Sequence, residues 1–128
     1  MSAHILVIED NEMSLALAEY LLRDAGYTVS SATDGGTGMR LALENTAHLI
    51  LCDLDLPVIE GVQLVQALRA NRDWRKVPVL AFTATSMRDE QRQELAADFD
   101  GYILKPVDPV SFATRIGQHL ASELHSQG

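Results

Sequence analysis

A chain of 128 residues with 47% hydrophobic and 22% charged residues has the size and balance of one globular domain, not of a disordered or fibrous chain. Its 18 acidic against 10 basic residues, a net charge of −8, exclude a general nucleic-acid binder, which needs clustered Lys and Arg. The single cysteine, Cys52, excludes an intrachain disulfide, and no apolar run approaches the ~20 residues of a membrane span. Met1-Ser2-Ala3-His4 passes straight into a strand-like run with no signal-peptide pattern, so a cytoplasmic protein is expected.

Ile5-Leu6-Val7-Ile8 is a continuous apolar run ending in Glu9-Asp10, which suits a strand covered on both faces. From Asn11, the residues Met13, Leu17, Tyr20, Leu21 and Asp24 follow helical spacing until Gly26 stops it. Tyr27 to Ala32 is β-prone, and Asp34 can cap a helix running to about Asn45 with Met39, Leu41, Ala42 and Leu43 on its apolar face. A third strand spans His48 to Asp53, with Cys52 read as a small buried hydrophobe, and a helix near 60–71 follows the loop through Pro57. Val77 to Phe82 is the fourth strand, and a charge-rich helix lies between Ser86 and Ala97. Its like-charged pairs Arg88/Arg92 and Glu90/Glu94 are slightly unfavourable, which suits a solvated or marginal helix. Gly101 to Leu104 is a short fifth strand, and Val110, Ala113, Ile116 and Leu120 mark the last helix. One domain over 1–124 and a loose tail at 125–128 are expected.

Five βα cycles in one small domain imply an α/β fold: a parallel sheet with helices on both faces. Such sheets bind ligands outside the carboxyl ends of their strands. Glu9 and Asp10 end the first strand, Asp53 ends the third, Thr83 follows the fourth and Lys105 follows the fifth. Carboxylates gathered at one edge repel unless a cation intervenes, and Mg²⁺ suits a site of few carboxylates, waters and a phosphate. A carboxylate there can attack phosphorus in line, while metal and ammonium neutralise the equatorial oxygens. Taken singly, each residue has a plainer role: Asp53 or the Glu9-Asp10 pair a cap, Thr83 a strand-end residue, Lys105 a surface lysine. Their joint placement at successive strand ends, in the order acid pair, acid, hydroxyl, lysine, favours the chemical reading.

With these residues in place, the chain resembles the CheY-like receiver domains of two-component response regulators. The resemblance rests on Val7-Ile8-Glu9-Asp10-Asn11, on Leu51-Cys52-Asp53-Leu54-Asp55-Leu56-Pro57 with Gly61, on Ala81-Phe82-Thr83-Ala84, and on Gly101-Tyr102-Ile103-Leu104-Lys105-Pro106. It covers Ile5 to about Leu120 and implies a doubly wound, flavodoxin-like (βα)5 fold with strand order 2-1-3-4-5 and five helices. It further implies that Asp53 is the phosphoacceptor and Glu9 and Asp10 the metal-binding acids, with Asp55 lending a backbone carbonyl to Mg²⁺. Thr83 then matches the switch hydroxyl, Tyr102 the aromatic that changes exposure, and Lys105 the phosphate-contacting lysine. A cis Lys105-Pro106 peptide is implied too. The implied partners are a sensor histidine kinase or histidine phosphotransfer protein upstream, docking on the first helix and the loop after the fifth strand. An unidentified protein target is expected on the face of the fourth helix, fifth strand and last helix, with no nucleic acid, no membrane, and a monomer or weak dimer. Departures are few: Asp98 stands where the family often has a small residue, and Asp55 and Thr85 occupy positions that influence phosphoryl lifetime.

Two other readings compete with a signalling domain that catalyses only its own phosphoryl transfer and loss. Leu51-Cys52-Asp53-Leu54-Asp55 also resembles the nucleophile motif of haloacid-dehalogenase-type phosphatases, but two βα units precede Asp53, and Asp108 alone, not an acidic pair, follows closely after Lys105. A receiver-like interaction module that takes no phosphate is the other. Trp74 reads as rim packing, and His4, His48, His119 and His125 show no metal-ligand spacing.

Overall fold

Ile5, Leu6, Val7 and Ile8 are each at most 1% exposed, so β1 (His4–Ile8) is covered on both faces, as a continuous apolar run requires. The computed structural model describes residues 3–44, 47–53, 66, 70, 77–84, 90 and 99–127. Apart from residues 66, 70 and 90, the helices expected near 60–71 and 86–97 lie outside the described residues, as do Asp55, Gly61, Trp74, Thr85 and Asp98.

Around β1 stand β2 (Thr28–Ala32), β3 (Leu49–Asp53), β4 (Val79–Ala84) and β5 (Gly101–Lys105). All pairs are parallel and the order is β2-β1-β3-β4-β5, as the resemblance implied. Strand side chains alternate, so β1 and β3 feed two separate cores. Leu6, Ile8, Ile50 and Cys52 join Ala42 of α2 (Gly35–Glu44) on one face. Ile5, Val7, Leu49 and Leu51 join Leu22 of α1 (Glu12–Asp24) and Phe112 and Ile116 of α3 (Phe112–Gln127) on the other. Each fully buried Ile or Leu stabilises such a core by about 1.5–3 kcal/mol.

The helix ends follow local chemistry. Asn11 caps α1, its side chain accepting from the Ser14 N–H at 2.9 Å. Gly26, at φ 99°, ends α1 in a left-handed turn in which Tyr27 N–H reaches the Leu22 carbonyl and Gly26 N–H that of Arg23. Asp34 caps α2 as expected, its Oδ1 accepting from the Thr37 N–H at 2.7 Å. A hydrogen bond from the Thr37 backbone, above all, holds the Asp34 carboxyl below its usual range.

Three details differ from expectation. Met13, Leu17 and Tyr20, of the apolar spacing noticed in α1, are exposed on its outer face, Met13 and Tyr20 at 83% and 67%, while Leu21 packs against the core beside the buried Ala18 and Leu22. Val110 is 87% exposed and precedes α3, because Asp108 turns the chain there: it accepts from Val110 N–H, Ser111 hydroxyl and Phe112 N–H. Helix α3 continues to Gln127, into the tail expected to be loose from 125 onward.

Candidate functional site

At the carboxyl edge of the sheet the chain buries three polar residues, Glu9, Asp53 and Thr83, each 0% exposed. Glu9 follows β1, and its backbone N–H bonds to the Ala32 carbonyl at 2.9 Å, which extends the β1–β2 ladder by one step. Asp53 is the last residue of β3, in register with Phe82 of β4, and Thr83 comes next on β4. Thr83 and Lys105 lie within their strands and Asp10 beyond its own, small shifts from the expected boundaries.

Lys105 ties the edge together. Its Nζ is 2.9 Å from Asp53 Oδ1 and 2.7 Å from Glu9 Oε2, and it also lies 4.9 Å from the centre of the Phe82 ring. Burial alone would push the Lys105 ammonium down; the Glu9 and Asp53 carboxylates outweigh it and hold the group above its ordinary range. Glu9 Oε1 accepts from the Asn11 N–H at 3.0 Å. Its buried Oε2 makes no aligned hydrogen bond, so the contact with Lys105 is ionic and leaves lone-pair capacity for a further cation.

Glu9, Asp10 and Asp53 offer carboxylate oxygens within 4.8 Å of one another, Asp10 being exposed. Three carboxylates against the one ammonium of Lys105 leave two formal negative charges, and an uncompensated buried charge is costly. All-oxygen donors and a deficit of two charges fit a hard divalent cation. Asp55, the expected source of a backbone carbonyl, lies outside the described residues.

The plainer readings lose ground here. Asn11, not Glu9 or Asp10, caps α1, and Asp108 builds the entry to α3, which leaves it a structural task in place of the acid role a phosphatase needs. Cys52 is buried beside Asp53, and burial first, then the charges of Asp53 and Glu9, push its thiol up to about 12. Such a thiol is not a nucleophile at neutral pH.

Tyr102 lies on edge strand β5, 39% exposed, and Arg115 of α3 donates to its backbone carbonyl at 3.3 Å. The Lys105-Pro106 peptide is cis, as the resemblance implied. One part of the site escaped the sequence reading. Met13, Ser14 and Leu17 on α1, with Phe82, Pro106 and Val107, enclose with Lys105 a cavity of about 340 Å³. Its one sequence signal was the i, i+4 pair Met13/Leu17, which reads equally well as core.

Comparison with known proteins agrees with this geometry. The chain is 36% identical over 115 residues to the transcriptional regulatory protein PrrA of Mycobacterium tuberculosis, covering 90% of this chain but 48% of PrrA. It thus spans about half the length of that relative. It is 29% identical over 120 residues to the polar-differentiation response regulator DivK of Brucella abortus, covering 94% of this chain and 98% of DivK. Among solved structures, the receiver domain of the sensor histidine kinase PA1611 of Pseudomonas aeruginosa, with magnesium coordinated in its active site cleft, superposes with a TM-score of 0.83 at 29% identity. That match covers 94% of this chain and 99% of the other. The response regulator receiver domain family matches residues 5–117, and the chain belongs to that family.

Proposed function

We propose that this chain is the phosphoacceptor of a cytoplasmic two-component phosphorelay, and that Mg²⁺-dependent phosphorylation of Asp53 switches a protein-binding surface. The observation that carries the reading is the buried edge where Lys105 bridges Glu9 and Asp53, with Asp10 and Thr83 beside it. Glu9, Asp10 and Asp53, with the Asp55 carbonyl, would hold Mg²⁺, whose charge neutralises the phosphoryl oxygens and the acid cluster. The magnesium in the PA1611 receiver supports this assignment.

Asp53 presents a carboxylate oxygen to the phosphorus of a phosphohistidine or small acyl phosphate in line with the leaving group. Lys105, already within 2.9 Å of Asp53, turns its ammonium to the incoming oxygens and thereby gives up part of its ion pair with Glu9. The Thr83 hydroxyl moves toward the phosphoryl, and Tyr102 takes up the space this vacates. The aspartyl phosphate favours the second state only by its differential contacts with Thr83 and Lys105. Residues 1–124 act as one receiver domain, a monomer or weak dimer. A histidine kinase or histidine phosphotransfer protein docks over α1 and the loop after β5, where Met13 and Leu17 are exposed.

The decisive experiment is labelling with acetyl phosphate. Label on the wild-type chain should require Mg²⁺ and disappear in Asp53→Asn. Label that persists in Asp53→Asn, or a wild-type chain that no donor labels, refutes the assignment.

A further inference from the structure

Lys105 stands on β5, whereas the two carboxylates it meets belong to β3 and to the residue that follows β1. In the order β2-β1-β3-β4-β5 its side chain has to cross β4 to reach them. Phe82 is the β4 residue in register with Asp53, and the ammonium ends over its ring, 4.9 Å from the centre. That ring is 1% exposed and stacks on Phe112 at 6.4 Å and 24°, so the core fixes the surface beneath the lysine. A cation within about 6 Å of a ring face is attracted by the ring quadrupole, and more strongly where water is excluded.

A divalent cation at this edge would change what holds the lysine. Glu9 and Asp53 belong both to the carboxylate cluster that suits such a cation and to the Lys105 bridge. With a metal on those oxygens, the ammonium meets less negative charge and gains a neighbour of its own sign. A phenyl face offers no oxygen to a hard cation, so its attraction for Lys105 persists when the carboxylates are shared. We propose that Phe82 is a positioning residue for phosphoryl transfer: its ring keeps the Lys105 ammonium over Asp53 in the metal-loaded site, ready for the incoming phosphoryl oxygens. The role rests on Asp53 being the phosphoacceptor. It differs from plain packing, because an apolar group of the same shape but without the electron-rich face would fill the core and lose the hold on the lysine.

Fluorination of the ring makes that distinction. Replacing Phe82 with singly, doubly and triply fluorinated phenylalanine drains the ring face stepwise and nearly keeps its shape and apolar character. The rate of Mg²⁺-dependent labelling by acetyl phosphate should fall stepwise, to about one-fifth with three fluorines, while the urea midpoint stays close to that of the wild type. Rates that stay equal, or that fall only as stability falls, overturn the role and leave the phosphoacceptor assignment standing if Asp53 is still labelled. A wild-type chain that takes no label overturns both. A second measurement uses the wild-type chain and needs no phosphoryl transfer. The Phe82 ring current should shift the ε-methylene proton resonances of Lys105 upfield, and the shift should survive saturation with Mg²⁺. Its disappearance on adding Mg²⁺ would show that the ring releases the lysine when the metal binds, which refutes the positioning role.

Discussion

Lys105 Nζ sits within 2.9 Å of one buried carboxylate and 2.7 Å of another, so its removal strands two acids in the core. Losing one partner of a buried ion pair costs about 3–5 kcal/mol, and the 15% exposure of the lysine side chain places the cost near the lower figure. Lys105→Met should therefore lower the metal-free unfolding free energy by about 3 kcal/mol in urea titrations, with part recovered on adding Mg²⁺. A loss that Mg²⁺ leaves untouched would mean that the cation and the lysine do not share the same carboxylates. Two histidines carry a different signal. Burial first, then neighbouring His48, holds His4 below its ordinary value; burial, then Arg115, holds His119 below its own against the opposing charge of Asp100. Both groups take up protons less readily in the folded chain than in the unfolded one. Their stabilisation is complete above pH about 6.5 and is lost as pH falls below that value. The urea midpoint should decline between about pH 7 and pH 5, and His119→Gln should flatten part of that decline.

Helix α2 and helix α1 make opposite demands on their small and apolar residues. Ala in place of Gly38 would gain up to about 1 kcal/mol of helix propensity. A Cβ there, however, would fall 2.5 Å from Ile8 Cδ1 and 2.9 Å from Cγ1, and Ile8 is 0% exposed. Overpacking costs about 1–3 kcal/mol, so Gly38→Ala should be net destabilising by about 1 kcal/mol in thermal or urea unfolding. An unchanged or raised stability would show that Ile8 has room to move. Helix α1 carries Met13, Leu17 and Tyr20 outward, with Tyr20 67% exposed beside the Glu19–Arg23 pair at 3.2 Å. Tyr20→Glu should slow phosphotransfer from a histidine phosphodonor protein about tenfold, as loss of a central aromatic contact does. Tyr20 lies away from the chamber beside Lys105, so acetyl phosphate labelling measured in parallel reports whether the site itself was disturbed.

Across the whole molecule, the parallel sheet and its site were legible in the sequence to unequal depth. The apolar run at Ile5 announced a strand covered on both faces, because only a doubly covered strand tolerates uninterrupted hydrophobes, and the runs at Leu49 and Val79 are buried in the same way. Gly26 and Asp34 marked helix ends, since a left-handed turn and a side-chain cap need those residue types. The convergence of Glu9, Asp53, Thr83 and Lys105 followed from parallel strands sharing one carboxyl edge. Less legible was the role of each neighbour. The Glu9-Asp10 pair was an equally plain cap for α1 in the sequence, whereas Asn11 holds that place and Glu9 meets Lys105. The spacing of Met13, Leu17 and Tyr20 repeats at the helical period, and a period cannot say which face meets the core. That was decided by Ala18 and Leu22 fitting against the sheet.

The sequence by itself thus determined the element order, the parallel sheet and the residues at its edge, because hydrophobic period and cap chemistry are local. Only the tertiary structure decided the Lys105 bridge between Glu9 and Asp53 and the apolar chamber beside it. Both depend on the distance between side chains from different strands, and no local pattern encodes that distance.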